Sequence, residues 1–471
     1  MPRILILNLP GPVLKSGSRW YNVGKRSIAT LRYYPYPWFM GYATALLKKN
    51  HFEAVFKDAV AMEWGQEQTM NYVASFKPEF IVCEPTWVSV NDDKRFLQMV
   101  GDYITKIAVG NYVTNYPLEC LDRAGVDYGV VGEWETSVLE FFQSGCSKLP
   151  KNFVSPSKTQ YEIPDLVQNL DAFPFPERDD TPIDFYNEPS CFGKNVVMVS
   201  SRGCRLRCSF CNVECIYGRH TYRTRSAGNV VDEMEYLRDK YVFDEIYFDD
   251  DNMVASKRHI DGICREILAR NVDVRWLCLG DGLVDDETLN LLAQAGCTTY
   301  KFGLEHLDDE VLRAIPKPLK KERLLEIIRT CKGLGMRSYV CLIVGLPRSS
   351  RDKDMKMIHE VIDADPDLIQ IAIATPYPGT PFFDQARKNG WLISDDPKLF
   401  DATGRCAVSY PDYSADEIEE TYRNGWRVWY RHVLLGKPTT LWFFCASEAR
   451  RNGWMNTAKK GLAYLPKVLG M

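Results

Sequence analysis

Short apolar runs alternate with longer amphipathic stretches along most of this chain, and that rhythm limits the fold more than any other feature. In the first 145 residues the runs are RILILNL, FEAVFKD, FIVCEP, KIAVGN and DYGVVGE, with helical patterns such as WFMGYATALLKKN between them. The runs suit strands and the stretches between them suit crossover helices. The segment 1–145 therefore predicts βαβ units in a doubly wound, Rossmann-like parallel sheet. Ligands of such sheets bind beyond the carboxyl ends of the strands, here the loops Asn8 to Pro37, Glu84 to Ser89, Gly110 to Val113 and Gly132 to Glu135.

Prolines punctuate residues 146–192, which read as a linker draped over the surface. A second series starts at Asn195, with strands at NVVMVSS, EIYFDD, VRWLCLG, TTYKFGLE, YVCLIVGL and LIQIAIAT. One helix between them is framed by Asp285 as N-cap and Gly296 just past its end. Six βα units over 193–390 predict a partial, TIM-like (β/α)6 barrel, whose chemistry belongs at the carboxyl ends of its strands. Residues 391–471 read as a helical region. Between Thr421 and Met471 it carries nine Lys or Arg against one acid, Glu448, and nine aromatics.

At 471 residues, 45% hydrophobic and 25% charged, the chain has the composition of a soluble protein of two or three domains. A net charge of -4 gives no general signal for nucleic acid. No apolar run reaches the roughly eighteen residues a membrane span needs. The opening MPRILILNLPGP reads as a first strand rather than a signal peptide, so a cytoplasmic location is expected.

Fifteen cysteines in a chain this long are not a disulfide framework, and twelve are scattered as small core residues would be. The other three, Cys204, Cys208 and Cys211, crowd into RGCRLRCSFC directly after the first barrel strand. A structural zinc site wants four ligands, usually as two separated pairs, and no second C-x-x-C exists; His220 would complete one only at an unusual spacing. A nucleophilic cysteine needs no two neighbours in its loop. An iron–sulfur cube held at three corners fits better, its fourth iron left open to a chelating molecule. The alternative triplet Cys208, Cys211 and Cys215 has the reversed spacing. Arg202, Arg205 and Arg207 either offset cluster charge or are solvated.

C-x-x-x-C-x-x-C after the first strand of a partial barrel, with Phe210 before the third cysteine, resembles the radical SAM enzymes. The resemblance implies a 4Fe-4S cluster whose open iron binds the amino and carboxylate groups of S-adenosylmethionine. Its reductive cleavage gives a 5′-deoxyadenosyl radical able to take hydrogen from an unactivated carbon. It further implies that Asp249 and Asp250 of YFDDDN lie near the methionine amino group. Glu305 of GLEH would approach the ribose or methionine, and Gly345 and Leu346 of IVGLP the adenine. PYPGTPFFDQARKNGWL resembles a sixth-strand signature of the subgroup with an N-terminal cobalamin-binding domain. KPEFIVCEP, IAVGN and GVDYGVVGEWE resemble segments of that domain, which makes Thr86, Gly110 and Gly132 cofactor-binding candidates. One departure bears on cobalamin: no histidine lies between Asn8 and Pro37 to ligate cobalt, and the usual glycine pair is Gly110-Asn111.

The stretch GSRWYNVGKRSIATLRYYPYPWFMGYATALL resembles the opening of radical SAM proteins associated with hopanoid biosynthesis and related lipid-headgroup enzymes. The basic, Trp-rich tail has the composition of an interfacial helix, or equally of a helical cap that buries its tryptophans. The expected function is therefore a radical SAM enzyme acting on an unactivated carbon of a small molecule, a lipid or its sugar headgroup. The reaction is cobalamin-dependent methylation, rearrangement or ring formation, fed by a flavodoxin- or ferredoxin-like electron donor, with peripheral membrane contact through the tail. The alternative is a cobalamin- or SAM-sensing regulator with a non-catalytic barrel. The sequence marks no catalytic acid or base.

Overall fold

A computed structural model describes residues 2–11, 34–396, 399–400, 402–453 and 457. They divide into two compact units. One runs through Tyr186 and takes in Asn212–Arg223 and Tyr377–Thr380; the other holds Asn187–Cys211, Thr224–Pro376 and the described residues from Pro381 onward.

The first unit is built on β1 (Arg3–Asn8), β2 (Glu53–Asp58), β3 (Phe80–Cys83), β4 (Thr105–Ala108), β5 (Tyr128–Val130) and β6 (Phe153–Val154), in the order β2-β1-β3-β4-β5-β6. All pairs are parallel except β5 with β6. Ile4 to Leu7 of β1 are fully buried, as a strand covered on both faces must be, and this is why the sequence there is an unbroken apolar run. The strand order reverses between β1 and β3, so the crevice of a doubly wound sheet opens at their carboxyl ends. β6 was not foreseen, because two residues are too few to show a period. The Pro-rich segment up to Tyr186 packs onto this unit: Phe173 and Tyr186 are buried, and Lys48 Nζ meets Glu177 at 2.7 Å and Asp180 at 2.8 Å.

At the end of β2, Asp58 is buried with Oδ1 accepting from Asn8 Nδ2 (2.9 Å), Val60 N (3.1 Å) and Ala61 N (2.9 Å), and Oδ2 from the Tyr186 hydroxyl (3.2 Å). Burial outweighs these bonds and pushes its pKa up to about 6. The folded state thus holds this proton more tightly than the unfolded chain. The resulting stability is complete below about pH 4 and is lost as pH rises through about 6. Asp58→Asn keeps the Oδ1 acceptor and removes the titration. Urea unfolding should show the variant gaining about 2–3 kcal/mol on wild type between pH 4 and pH 7. Parallel pH profiles would refute the assignment.

The second unit is a six-stranded parallel sheet in simple sequential order: β7 (Asn195–Met198), β8 (Glu245–Phe248), β9 (Trp276–Asp281), β10 (Cys297–Glu305), β11 (Arg337–Val344) and β12 (Leu368–Ile373). This is the half-barrel that six βα units predict, and the six strands fall where the sequence puts them. Alternate residues serve different faces. Val340, Leu342 and Val344 of β11 share one core with Val230, Ile260, Leu289, Ile327 and Ile358 of the surrounding helices. Tyr339, Cys341 and Ile343 therefore point to the concave side and keep partial exposure. Asp285 caps its helix as expected, accepting from Thr288 N at 2.8 Å, and Gly296 follows that helix with φ +86°.

Helices Ala415–Gly436 and Pro438–Asn452 close the described chain. Ile418, Trp429 and Val433 join the barrel core, and the Arg451 guanidinium donates to the carbonyls of Cys191 and Gly193 (2.5 and 2.6 Å) ahead of β7. Trp429 is buried, Trp442 is 64% exposed, and Trp454 lies outside the described residues. Among the described residues no helix is long and apolar enough to cross a membrane.

Candidate active site

The cysteine stretch leaves the barrel after the short strand Ser201–Gly203. Gly203, at φ +88°, takes a turn that disfavours other residues, and its N–H donates to Asp251 Oδ2 at 2.8 Å. Cys204 Sγ accepts from Leu206 N (3.4 Å) and Asn252 Nδ2 (3.7 Å), while Cys211 N–H donates to the Cys208 carbonyl (3.0 Å). Phe210 packs against the barrel core, and the Phe382 N–H holds the Ser209 carbonyl at 2.9 Å. Burial raises the Cys204 thiol and pushes Cys208 up to about 12, with Lys317 acting in the opposite direction on Cys208. Thiols so placed become thiolates when a metal centre supplies the missing positive charge.

Around this loop the barrel ends contribute a polar ring. Asn252 Nδ2 donates to Asp281 Oδ2 at 2.7 Å, and both Asn252 Oδ1 and Ser209 Oγ are buried with no hydrogen-bond partner among the described residues. Buried polar atoms left open are costly unless a ligand satisfies them. The residues therefore fit a cluster that carries a chelating nucleotide. Glu305 sits at φ +63°, a conformation uncommon for a side-chain-bearing residue. Lys317 Nζ braces it, donating to Glu305 Oε1 (2.6 Å) and the Gly303 carbonyl (2.8 Å). Burial pulls Lys317 down, but Glu305 and Cys208 more than offset it, so the ammonium stays charged. Lys317 escaped the sequence reading; its only signal is a lysine fixed between Pro316 and Pro318 in an otherwise apolar loop.

The other expected residues fall as follows. Asp250 is buried and accepts from Ser200 N (3.0 Å), Ser200 Oγ (2.7 Å) and Ser201 Oγ (2.5 Å), bracing the turn after β7. Asp249 lies at the end of β8, its N–H bonded to the Met198 carbonyl at 2.9 Å. Asp251 and Asn252, from the same YFDDDN run, make the hydrogen bonds to the cysteine loop. Gly345 turns at φ +75°, where a Cβ would meet Ile418 at 2.7 Å, and Leu346 is fully buried in the core. Its neighbourhood converges on Asp354, which accepts from Gly345 N (2.8 Å), the Tyr413 hydroxyl (2.9 Å) and Ser349 Oγ. His306 Nδ1 accepts from Asp308 N (2.9 Å), so its proton lies on Nε2, facing Asp354 Oδ1 at 3.1 Å. Asp354 thus ties GLEH to IVGLP. Among the described residues no three His, Cys, Asp or Glu side chains are grouped to hold a single metal ion. Cys215 is buried in the first unit.

In the first unit, the strand ends after β3, β4 and β5 carry Thr86, Gly110 and Gly132. Thr86 Oγ1 and Ser89 Oγ are 2.7 Å apart, in a turn that opens the helix Val90–Val100. Gly110 has φ +91°, and a Cβ there would strike the Glu84 carboxylate at 2.3 Å. Gly132, at φ +79°, donates to Thr114 Oγ1 at 3.0 Å. Beside them Trp87 Nε1 and Asn111 Nδ2 are buried donors with no hydrogen-bond acceptor among the described residues. Two side-chain-free turns and two open donors at the carboxyl edge fit a large polar ligand such as cobalamin. Asn111 Oδ1 is taken by Asn115 Nδ2 at 2.9 Å. Most of the aromatic- and Arg-rich opening, residues 12–33, lies outside the described residues.

Residues 198–361 match the Radical SAM superfamily, and this part of the chain is a radical SAM domain. Over 408 residues, 84% of this chain and 87% of the relative, it is 24% identical to an uncharacterized methyltransferase of Pyrococcus horikoshii. Over 372 residues, 66% of this chain and 69% of the relative, it is 27% identical to the cytidylyl-2-hydroxyethylphosphonate methyltransferase of Streptomyces wedmorensis. The fold is shared with the radical S-adenosylmethionine methyltransferase TsrM of Kitasatospora setae, solved with cobalamin and a [4Fe-4S] cluster bound. That likeness has a TM-score of 0.69 at 16% identity and covers 98% of this chain and 100% of the other.

Proposed function

We propose that this protein is a cobalamin-dependent radical SAM enzyme that methylates an unactivated carbon. Cys204, Cys208 and Cys211 would hold a 4Fe-4S cluster. With S-adenosylmethionine bound, that cluster supplies the reductive cleavage from which hydrogen abstraction follows. The chain's own part is positioning. Asn252 Oδ1 and Ser209 Oγ offer open acceptors beside the cysteines, and the Lys317–Glu305 pair holds a carboxylate at the end of β10. Thr86, Gly110 and Gly132 line the edge where cobalamin would lie. The observation that carries the reading is the orphaned Asn252 carbonyl, whose amide partner atom contacts Cys204 Sγ at 3.7 Å.

The test is anaerobic purification and reconstitution, with iron, sulfide and cobalt counted and 5′-deoxyadenosine measured under reduction. Cobalt together with cleavage supports methylation. Cleavage without cobalt moves the reading to rearrangement or ring formation, and cobalt or SAM binding without cleavage to a sensor.

A lipid substrate at a membrane surface is a second reading, favoured by a specific patch. Leu434, Leu435, Leu441 and Trp442 are all exposed around the elbow between the last two helices, Leu435 to 88%. An exposed apolar group next to basic helices has the character of an interfacial contact. Leu435→Glu combined with Trp442→Glu should then abolish co-sedimentation with phosphatidylglycerol vesicles.

A further inference from the structure

The concave face of the barrel carries a cation that forms no salt bridge with any described residue. Arg275 and Arg337 both meet Glu245 at 3.2 Å, and Lys317 meets Glu305 at 2.6 Å. Lys301 has no hydrogen bond or ion pair among the described residues. Tyr300, Phe302 and Leu304 of β10 belong to the core under the helices, so Lys301 between them points to the concave side. Its ammonium lies 4.7 Å from the ring centre of Tyr339 and 5.8 Å from that of Tyr247.

The neighbours of Lys301 leave it an acceptor to find. Burial disfavours its charged form, and Glu188, Tyr339, Cys341 and Asp249 together more than offset that, yet neither carboxylate forms an ion pair with it. The Glu188 carboxylate is bound instead by Ser190 N (3.0 Å) and Ser190 Oγ (2.6 Å). Burial keeps Cys341 a neutral thiol, pushed up to about 12, so it is no counter-ion. Cys341 Sγ and the Tyr339 hydroxyl both donate to Gln370 Oε1, at 3.8 and 3.4 Å, and Gln370 is exposed on β12, the edge strand of the open sheet. A half-buried cation flanked by two rings, on a concave face whose edge strand exposes Gln370, is suited to an anion arriving from outside. Its place is four residues before Glu305 on the same strand, roughly 13 Å below the proposed nucleotide site.

We infer that Lys301 binds an anionic group of the substrate, a phosphoryl, phosphonyl or carboxylate group, with Tyr247 and Tyr339 flanking the ammonium. This rests on the concave face being the substrate chamber of the proposed enzyme, but its test needs no turnover. Binding of methylphosphonate, acetate and dihexanoylphosphatidylglycerol to the reconstituted full chain would be measured by thermal shift. Wild type should bind at least one probe saturably, and Lys301→Gln should bind it roughly ten- to a hundredfold more weakly while Lys301→Arg stays within about threefold. Preference for the short-chain lipid identifies a headgroup as the source of the anion; preference for methylphosphonate or acetate identifies a free acid. Equal binding by wild type and Lys301→Gln, or no saturable binding by wild type, overturns the inference. Should the glutamine variant fail to fold, wild type alone decides it. A saturating probe must protect Lys301 from acetylation, read by peptide mass spectrometry, and lack of protection refutes the role.

Discussion

Replacing Cys204 by alanine should leave a folded protein that holds almost no iron and forms no detectable 5′-deoxyadenosine, a loss of at least ~1,000-fold. The thiol sits in a loop, accepts only the long contacts from Leu206 and Asn252 among the described residues, and belongs to neither hydrophobic core. Its removal therefore costs little packing, and far-UV circular dichroism should match wild type. The contrast is Cys215→Ala, in a buried helix of the first unit, which should keep its iron and its cleavage. If Cys215→Ala lost both while Cys204→Ala kept them, the ligand set would be the reversed triplet and the site would have to be redrawn.

Asp354→Ala should be the most damaging change to stability outside the loop, costing about 3–5 kcal/mol. The carboxylate is fully buried and serves Gly345 N–H, the Tyr413 hydroxyl, Ser349 and His306. Alanine leaves these donors facing one another without an acceptor. Asparagine turns an amide N–H₂ toward donors on one side, so Asp354→Asn should still cost about 2 kcal/mol, and Ser349→Ala less than either. Urea unfolding orders the three. A loss under 1 kcal/mol for Asp354→Ala would mean that water replaces the carboxylate and that the bridge between GLEH and IVGLP is not structural.

Legibility in the sequence followed how local each signal was. The strands were readable because a parallel strand covered on both faces writes itself as a run such as RILILN or NVVM. Asp285 and Gly296 were readable because a cap speaks through its immediate neighbours. The cysteine loop was readable for the same reason, three like residues within one turn of chain. Lys317 was not, since its partners Glu305 and Gly303 lie on another element and nothing in IPKPLK announces a buried ion pair. Asn252 and Asp251 stood in a quoted motif, yet which of its acids reaches the cysteines depends on how the chain turns after β8. Lys301 was hidden by alternation: in TTYKFGLE it resembles an ordinary solvated lysine until the sheet curls and gives that face an interior.

The first unit recruits Asn212–Arg223 from far along the chain, and with it Tyr217, fully buried, and Arg223, whose guanidinium grips Glu133 at 2.9 and 3.0 Å. A gene fragment ending at Tyr186 would omit this borrowed piece and strand the Glu133 carboxylate in a dry interior. Recombination between relatives at the apparent linker would then carry a hidden penalty. Any such graft succeeds only when donor and recipient agree on a dozen residues that sit well outside the exchanged block.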